Sequence, residues 1–343
     1  MAVNRPPFFM YLNLETLENK LDVFNIILGN RGGGKTYTCL RDCIKNGKKF
    51  IYLRRTQKEI QRIAKKKVDV SLSPFEPLNK DYPDWHLEVE ALDDDIYTVT
   101  NEFIGDEKKS VGLMCPLSTF ASMRGFSAPD IEVIIFDEFN PELHVRGIKN
   151  EDDAFFNMYE TVNRNRELQG EKPVQVFLLG NTNNIAIPIL ETLGLIEVIE
   201  GMQRKGKKFY NNRNRNLFLM LMEDSDYIEK KSKTALYKLT AGTEFYEMAL
   251  ENKFAYNDFS DIEVKKLNEY RLEFTCNDFA VWKHKSRFEF YVTKNSTGRV
   301  DYESTEAEAM ALRNRMRYLY NAYVGRKIIY QNYRVKKSFT NYV

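Results

Sequence analysis

Cysteine and histidine are both scarce in this chain. Its 343 residues include four cysteines and three histidines, and no two cysteines form a C-x-x-C pair. Zinc sites draw mainly on paired cysteines and on histidines, so the composition argues against a zinc site. Cys39 and Cys43 lie four positions apart on a predicted helix, a spacing more typical of packed or surface thiols than of metal ligands. This cysteine usage fits a reducing compartment such as the cytosol.

Long apolar runs are also missing. A membrane-spanning helix needs roughly 18 or more consecutive apolar residues, and no stretch of this sequence approaches that length. Near the N-terminus, Arg5-Pro6-Pro7 interrupts any run that could act as a secretion signal. We therefore predict an intracellular protein without a membrane span. The net charge is only +2, so the whole-chain charge does not identify a partner.

The apolar residues that are present, 43% of the chain, fall in short runs. Each run is bounded by turn residues and separated from the next by a helix-like segment, the pattern of buried parallel strands in an α/β sheet. Tyr97 to Phe103 and Val111 to Met114 are predicted to form a hairpin inserted between these units. The predicted parallel strands are Val23 to Leu28, Phe50 to Leu53, Val133 to Phe136 and Val174 to Leu179.

The pattern changes after about residue 200, and the length favours two domains. We predict an α/β domain over residues 1–225, a charged linker over 226–258 and a smaller α+β domain over 259–343. The second domain should contain meander strands at Leu272 to Thr275, Phe279 to Lys283 and Phe288 to Val292. A final helix is predicted from Glu306 to Tyr320.

A glycine-rich motif follows the first predicted strand. It matches G-x-x-x-x-G-K-[ST] and precedes a helical stretch, which is the context a phosphate-binding loop requires. The glycines let backbone N–H groups turn toward phosphates, and the next helix presents its positive N-terminal end to the same anion. Lys35 is expected to reach the β- and γ-phosphates of ATP, and Thr36 to hold Mg²⁺. The motif residues are Gly29, Asn30, Arg31, Gly32, Gly33, Gly34, Lys35 and Thr36.

Two acids end the strand Val133 to Phe136. Asp137 is the expected Mg²⁺ ligand, directly or through water, and Glu138 the residue that polarises the attacking water. A later strand ends at Gly180-Asn181, where Asn181 or Thr182 could hydrogen-bond the γ-phosphate or the water. An ordinary Asn-rich strand end is an equal alternative for that segment. Candidate arginines for the transferring phosphoryl group are Arg124, Arg164 and Arg166, although each could be a surface residue.

Together these motifs resemble the DNA encapsidation ATPases of phi-29-like podophages, which are relatives of the large terminase subunit. The resemblance covers about residues 20–255. It is carried by Gly29 to Thr36, Phe50-Ile51-Tyr52-Leu53-Arg54-Arg55, Ile134-Ile135-Phe136-Asp137-Glu138-Phe139, Thr161 to Glu167, Gly180-Asn181 and Gly242 to Met248. The phosphate-loop motif is widespread, whereas Arg164-Asn165-Arg166-Glu167 and Gly242-Thr243-Glu244 are far more particular.

The resemblance implies a P-loop NTPase domain of the ASCE type, with helices on both faces of a parallel sheet. It also implies an RNase H-like C-terminal domain that has lost its nuclease site. Lys35 and Thr36 would be the Walker A pair, and Asp137 and Glu138 the Walker B pair. Arg164 would be an arginine finger acting in trans, Arg124 a second basic residue acting across the subunit interface, and Asn181 part of the coupling motif.

The partners that the resemblance implies are those of a packaging motor. The chain would form a homo-oligomeric ring, expected to be a pentamer, at the portal vertex of a procapsid in the host cytoplasm. It would hydrolyse ATP to move double-stranded DNA into the procapsid. Whether a packaging RNA takes part is left open by the sequence.

Two basic stretches are candidates for gripping DNA phosphates regardless of sequence. Arg204 to Asn216 carries six Lys/Arg and no acid, and the chain after Glu308 carries eight Lys/Arg, six Tyr and no acid. A solvated helix face is an equal explanation for the second stretch. Alternatives to the motor are a nuclease-active terminase, a helicase-like translocase and a nucleotide-dependent scaffold. The C-terminal acids are too scattered for a two-metal site, which argues against the nuclease.

Overall fold

The structure is a computed structural model. It describes residues 12–30, 32–64, 72–101, 109–120, 129–141, 148, 150–181, 185–222, 225–243, 246, 260–303, 305, 307–308, 310–311 and 317–342. The chain divides into two compact units. The first comprises Met1–Thr192 and Met202–Tyr256, and the second comprises Leu193–Gly201 and Asn257–Val343. The main division therefore falls at the end of the segment predicted to be a linker.

A large sheet forms the centre of the first unit. Its described strands are β1 (Phe24–Gly29), β2 (Phe50–Arg54), β3 (Glu88–Ala91), β4 (Tyr97–Asn101), β5 (Lys109–Pro116), β6 (Val133–Asp137), β7 (Gln175–Gly180), β8 (Phe209–Asn212) and β9 (Leu217–Met222). Their order across the sheet is β3-β4-β5-β2-β6-β7-β1-β9-β8. The six adjacent strands from β5 to β9 in this order run parallel, so the prediction of a parallel α/β sheet is confirmed.

The remaining strands lie at the two edges and are antiparallel. β4 pairs with β5 as the predicted hairpin, and β3 pairs with β4. The hairpin of β8 and β9 closes the other edge. The central strands are buried along nearly their whole length: β1 has five consecutive buried residues, and β6 is buried throughout. Continuous apolar runs therefore marked them in the sequence.

The described helices have the following bounds: α1 (Lys35–Lys45), α2 (Gln57–Ala64), α3 (Glu76–Asp81), α4 (Leu117–Phe120), α5 (Glu151–Asn163), α6 (Pro188–Thr192), α7 (Ile196–Arg204), α8 (Ser225–Ser232) and α9 (Ala235–Leu239). α8 and α9 fall inside the predicted linker, which therefore begins with two short helices. Cys39 and Cys43 are buried in the core face of α1, and burial raises the pKa of both thiols. None of the helices in the described ranges combines the length and apolar character that crossing a membrane demands.

The second unit contains a sheet of order β10-β11-β12-β13, formed by β10 (Tyr270–Thr275), β11 (Phe279–His284), β12 (Phe290–Lys294) and β13 (Ile328–Tyr330). The first three strands form the predicted antiparallel meander, and β13 joins β12 in parallel. α10 (Arg317–Val324) precedes β13, and α11 (Tyr333–Tyr342) follows it.

The prediction that the chain ends in a helix from Glu306 to Tyr320 is wrong in one respect. Of that range, residues 306, 309 and 312–316 lie outside the described part, and helix α10 continues past the range to Val324. Gly325 and Arg326, the latter with a φ of 52°, then turn the chain into β13. The chain finishes with α11 instead, which buries Val335 and Phe339 in the core of this unit. These residues are one turn apart and so share a helix face.

Candidate functional site

The loop between β1 and α1 is held open by glycine. Gly32 and Gly34 have φ values of 79° and 74°, in the left-handed region that side chains rarely adopt. A Cβ at Gly33 would lie 3.1 Å from the Cε of Met222 and 3.3 Å from the carbonyl oxygen of Asn30. The backbone therefore turns tightly and leaves little room for a side chain at Gly33. Such a loop exposes N–H groups to an anion at the start of α1.

Lys35 is the buried cation of this loop. Its Nζ donates to the carbonyl oxygens of Gly29 and Asn30, both at 2.8 Å, and lies 3.5 Å from Oδ1 of Asn181. These contacts compensate for the loss of water around the ammonium group. A phosphate entering the loop would meet a cation that is already positioned.

Thr36 and Asp137 are joined directly. The Thr36 hydroxyl donates to Oδ1 of Asp137 at 2.8 Å, and the Tyr52 hydroxyl donates to Oδ2 at 2.6 Å. Burial, together with the nearby Asp137, raises the pKa of Tyr52, so Tyr52 is a neutral donor. A hydroxyl and a carboxylate oxygen side by side are the hard oxygen ligands that Mg²⁺ prefers.

Glu138 directly follows β6 and adopts a left-handed backbone with φ 49°. Its side chain is half exposed, and its Oε2 lies 2.5 Å from Nη2 of Arg54. Nη1 of the same guanidinium lies 3.3 Å from Oδ2 of Asp137. Burial disfavours the charge on Arg54, but Tyr52, Asp137 and Glu138 outweigh burial and raise the pKa of Arg54.

Arg54 is therefore a site residue to which the sequence analysis assigned no role. It lies within the Phe50 to Arg55 motif, but its function depends on sheet order. The pairing of β2 with β6 aligns Leu53 with Phe136, which brings the next residue of each strand, Arg54 and Asp137, together. The only available signal was an arginine at a strand end beside a strand that ends in two acids.

Asn181 is fixed by Asn140, a second residue that the sequence analysis missed. Oδ1 of Asn140 accepts from the backbone N–H of Asn181 at 2.9 Å, and Nδ2 of Asn140 donates to the Asn181 carbonyl oxygen. Both residues are buried. The Asn140 amide thus pairs with the Asn181 backbone and leaves the Asn181 side chain facing Lys35.

These groups surround one cavity of about 430 Å³. The cavity is lined by Gly32, Gly33, Gly34, Lys35, Thr36, Tyr37, Asp137, Glu138, Leu179 and Asn181. Most residues predicted as a nucleotide and metal site are therefore brought together, and Gly29 and Asn30 contact Lys35 through their carbonyl oxygens. Arg31 lies outside the described residues. The combination of a buried cation, inward-turned glycines and adjacent oxygen ligands suits a polyphosphate with a divalent cation.

Arg164 is not one of the described residues that line this cavity. It ends α5, is exposed, and its backbone has φ 47° and ψ −130°, a combination that is costly for a residue with a side chain. Its neighbour Arg166 donates through Nη2 to the carbonyl oxygen of Pro129. Arg124 lies outside the described residues.

Comparison with known proteins gives concordant matches. The model of the family described as Podovirus DNA encapsidation protein (Gp16) matches residues 8–338 of this chain. A DNA packaging protein of Bacillus phage B103 is 28% identical over 281 residues, which cover 79% of this chain and 77% of the phage protein. A DNA packaging protein of Bacillus phage PZA is also 28% identical, over 278 residues, which cover 79% of this chain and 74% of that protein.

A solved structure shares the fold. A chain of the bacteriophage Phi-29 viral genome packaging motor assembly superposes with a TM-score of 0.66 at 22% sequence identity. The match covers 97% of this chain and 98% of that chain, so both units are included. Because the family model spans nearly the whole sequence, the chain belongs to the podovirus DNA encapsidation protein family.

Proposed function

We propose that this protein hydrolyses ATP and uses the energy to move double-stranded viral DNA into a procapsid. The observation that carries the proposal is the convergence of Lys35, Thr36, Asp137, Glu138 and Asn181 on one cavity at the end of β1. The relatives named as DNA packaging proteins supply the biological setting.

ATP fits the cavity through its phosphates. The Lys35 ammonium would leave the carbonyl oxygens of Gly29 and Asn30 and bind the β- and γ-phosphates. The backbone N–H groups of the loop would donate to oxygens of the same phosphates. Thr36 and Asp137 would hold Mg²⁺, whose positive charge offsets the negative charge that builds up on the phosphates. Their hydrogen bond places both oxygens on one side of the loop before any metal binds.

Glu138 is the proposed base for the attacking water. Its carboxylate reaches the cavity but is held by Arg54 at 2.5 Å. To act on water, the carboxylate has to leave that ion pair, because the guanidinium of Arg54 occupies its Oε2. Asn181, fixed by Asn140, would orient the water or the γ-phosphate.

The position of Arg164 supports the proposal that the subunits form a ring. The exposed position of this residue at the end of α5, on a strained backbone, suits a group that reaches into a neighbouring subunit. Arg124 is proposed as a second residue at the same interface. We further propose that the subunits form a pentamer at the portal vertex, in the host cytoplasm, and that a packaging RNA is an optional partner.

The fold assignments also belong to the proposal. β7 is an additional strand between β1 and the acid-bearing β6, and Glu138 is the added catalytic glutamate; these two features favour the ASCE type of P-loop NTPase. The second unit is proposed to be a relative of the RNase H fold without nuclease activity. Asp301, one of its acids, accepts from the Thr275 backbone and hydroxyl and from Arg299, and so is already engaged in fixing a loop.

The basic stretches remain candidates for contacting DNA, with one change. Arg213 is held by Asp22 at 2.8 Å and donates to the carbonyl oxygens of Asn19 and Leu21. It therefore anchors the β8–β9 hairpin and is a poor candidate for DNA contact. Arg313 and Arg315 lie outside the described residues.

An ATPase assay with and without double-stranded DNA and procapsids tests the proposal. Wild-type protein should hydrolyse ATP, Lys35→Ala should fail to bind it, and Glu138→Gln should bind ATP but hydrolyse it slowly. The last two differ because Lys35 contacts the ground-state phosphates, whereas Glu138 acts on water. If Glu138→Gln hydrolyses ATP at the wild-type rate, Glu138 is not the base that activates the water.

A further inference from the structure

One aromatic residue lines the cavity among the described residues. It is Tyr37, which follows Lys35 and Thr36 in the first turn of α1. The other described lining residues are glycines, charged or amide residues, Thr36 and the strand residue Leu179. These groups account for phosphates and a metal, but they provide little apolar surface for a flat nucleobase.

Tyr37 is anchored on a different side of α1 from Thr36. Its hydroxyl donates to Oδ2 of Asp81 at 2.7 Å, and Asp81 is the last residue of α3, which packs against α1. Thr36, one residue earlier, is bound to Asp137 of β6 instead. The two side chains therefore diverge, with Thr36 next to the acids and Tyr37 next to α3.

The surroundings of Tyr37 keep its ring fixed and neutral. Part of the side chain packs against the core of the first unit, and the rest is exposed. Burial and the hydrogen bond to Asp81 raise the pKa of the phenol. A ring that is partly packed, partly accessible and tethered by its hydroxyl is a preorganised surface for stacking.

We infer that Tyr37 binds the base of the nucleotide by stacking and that Asp81 is the positioning residue for Tyr37. The inference rests on the proposed function, because it assumes that the phosphates of a nucleotide occupy the loop. Every nucleobase has a π face. Tyr37 would therefore favour nucleoside triphosphates as a class over inorganic triphosphate, without choosing strongly among bases.

The test compares two ligands that share the phosphates and differ in the base. Binding of ATP and of inorganic tripolyphosphate, each with Mg²⁺, is measured by calorimetry on the full-length protein. Tyr37→Ala should weaken ATP binding by roughly 5- to 150-fold, the effect of losing one base–aromatic stack, and leave tripolyphosphate binding unchanged. Tyr37→Phe keeps the ring but loses the hydrogen bond to Asp81, so it should weaken ATP binding only slightly and leave tripolyphosphate binding unchanged.

Further variants separate stacking from structural damage. Tyr37→Leu keeps apolar bulk without a π face and should behave like Tyr37→Ala. Asp81→Ala removes the acceptor of the Tyr37 hydroxyl, so it should weaken ATP binding as slightly as Tyr37→Phe does, again without affecting tripolyphosphate. Phe288→Ala, at an exposed aromatic residue of the second unit, is the matched control and should change neither affinity.

Two results would overturn the inference: equal loss of both ligands in Tyr37→Ala, or unchanged ATP affinity in a folded Tyr37→Ala protein. Lys35→Ala should weaken the binding of both ligands. It therefore distinguishes failure of the Tyr37 inference from failure of the proposed function. If wild type binds neither ligand, the proposed function and the inference fail together. If wild type binds both and Tyr37→Ala has no selective effect, the role of Tyr37 alone fails.

Discussion

Arg54 holds Glu138 by an ion pair, with Nη2 of the guanidinium 2.5 Å from Oε2 of the carboxylate. The same guanidinium contacts Asp137 at 3.3 Å. The carboxylate proposed to activate water is thus bound by an arginine on the neighbouring strand β2 of its own subunit.

Loss of this ion pair should make hydrolysis less dependent on DNA. Arg54→Met frees the Glu138 carboxylate, so we expect basal ATP turnover to rise by about two- to fivefold, a modest effect because Glu138 is half exposed. The ratio of DNA-stimulated to basal turnover, measured by phosphate release, should fall toward one. Arg62→Met, on α2, is the control. A basal rate below wild type would mean that Arg54 supports the reaction directly.

The strained backbone at Arg164 predicts that replacement by glycine improves stability relative to alanine but does not restore activity. Glycine tolerates φ 47° and ψ −130°, so Arg164→Gly should raise the free energy of unfolding by about 1 kcal/mol relative to Arg164→Ala. In both variants the rate of ATP hydrolysis should fall by about 10³- to 10⁵-fold, because both lack the guanidinium. Urea unfolding and turnover are measured on the same samples.

The trans assignment of Arg164 has its own test. Subunits carrying Arg164→Ala retain Glu138, and subunits carrying Glu138→Gln retain Arg164. Mixed rings should therefore contain some interfaces with both groups and recover part of the activity. With ring assembly verified, absence of recovery at every mixing ratio would show that Arg164 does not act across an interface.

Asn140 should affect turnover more than ATP affinity. Asn140→Ala removes the amide that pairs with the Asn181 backbone. At about 1 kcal/mol for each of the two hydrogen bonds, we expect kcat to fall by up to about thirtyfold, with a nearly unchanged Kd for ATP. Asn19→Ala, at an exposed asparagine of the same unit, is the control. Equal effects on kcat and affinity in a folded Asn140→Ala protein would contradict a positioning role.

A buried ion pair connects the nucleotide-site strand β2 to helix α5. Arg55 and Glu151 are both almost fully buried and make a bidentate contact, with Nε–Oε1 at 2.6 Å and Nη2–Oε2 at 2.9 Å. Glu151→Gln should destabilise the protein by about 3–5 kcal/mol, because it leaves a buried charge uncompensated. The double variant Arg55→Met with Glu151→Leu should recover most of that loss in urea unfolding.

The second unit should lack nuclease activity. Within the described residues, no three or more His, Cys, Asp or Glu side chains cluster as a metal site, and Asp301 is engaged by Thr275 and Arg299. Supercoiled and linear DNA should survive incubation with the protein in Mg²⁺ or Mn²⁺. Cleavage that disappears in Asp278→Asn or Asp301→Asn would make the chain a cutting terminase.

The sequence predicted the central strands well because they are buried on both faces. Val133 to Phe136 was recognisable as a continuous apolar run, and its observed strand ends one residue later, at Asp137. The edge strand β3, in which three of four residues are exposed, has no such run and was missed. The last helix was misplaced because nothing in the local pattern around Ile328 indicates pairing with β12, a contact across more than thirty residues of chain.

The site was predictable wherever its residues are contiguous in sequence. Gly29 to Thr36 and Asp137-Glu138 each form one uninterrupted motif, and the structure brings them together. Arg54 and Asn140 depend on which strands are neighbours and on where a loop folds back. Sheet order is a global property of the chain, so no local pattern could assign either residue its contact.

The left-handed backbone at Glu138 has a consequence for laboratory evolution. Glycine adopts φ 49° without the steric cost that a glutamate has there. Selection for heat resistance alone would therefore favour Glu138→Gly, and the surviving clones would be robust proteins without the proposed base. A stabilised version of this protein has to be selected under a simultaneous requirement for turnover, because at this position durability and catalysis favour different residues.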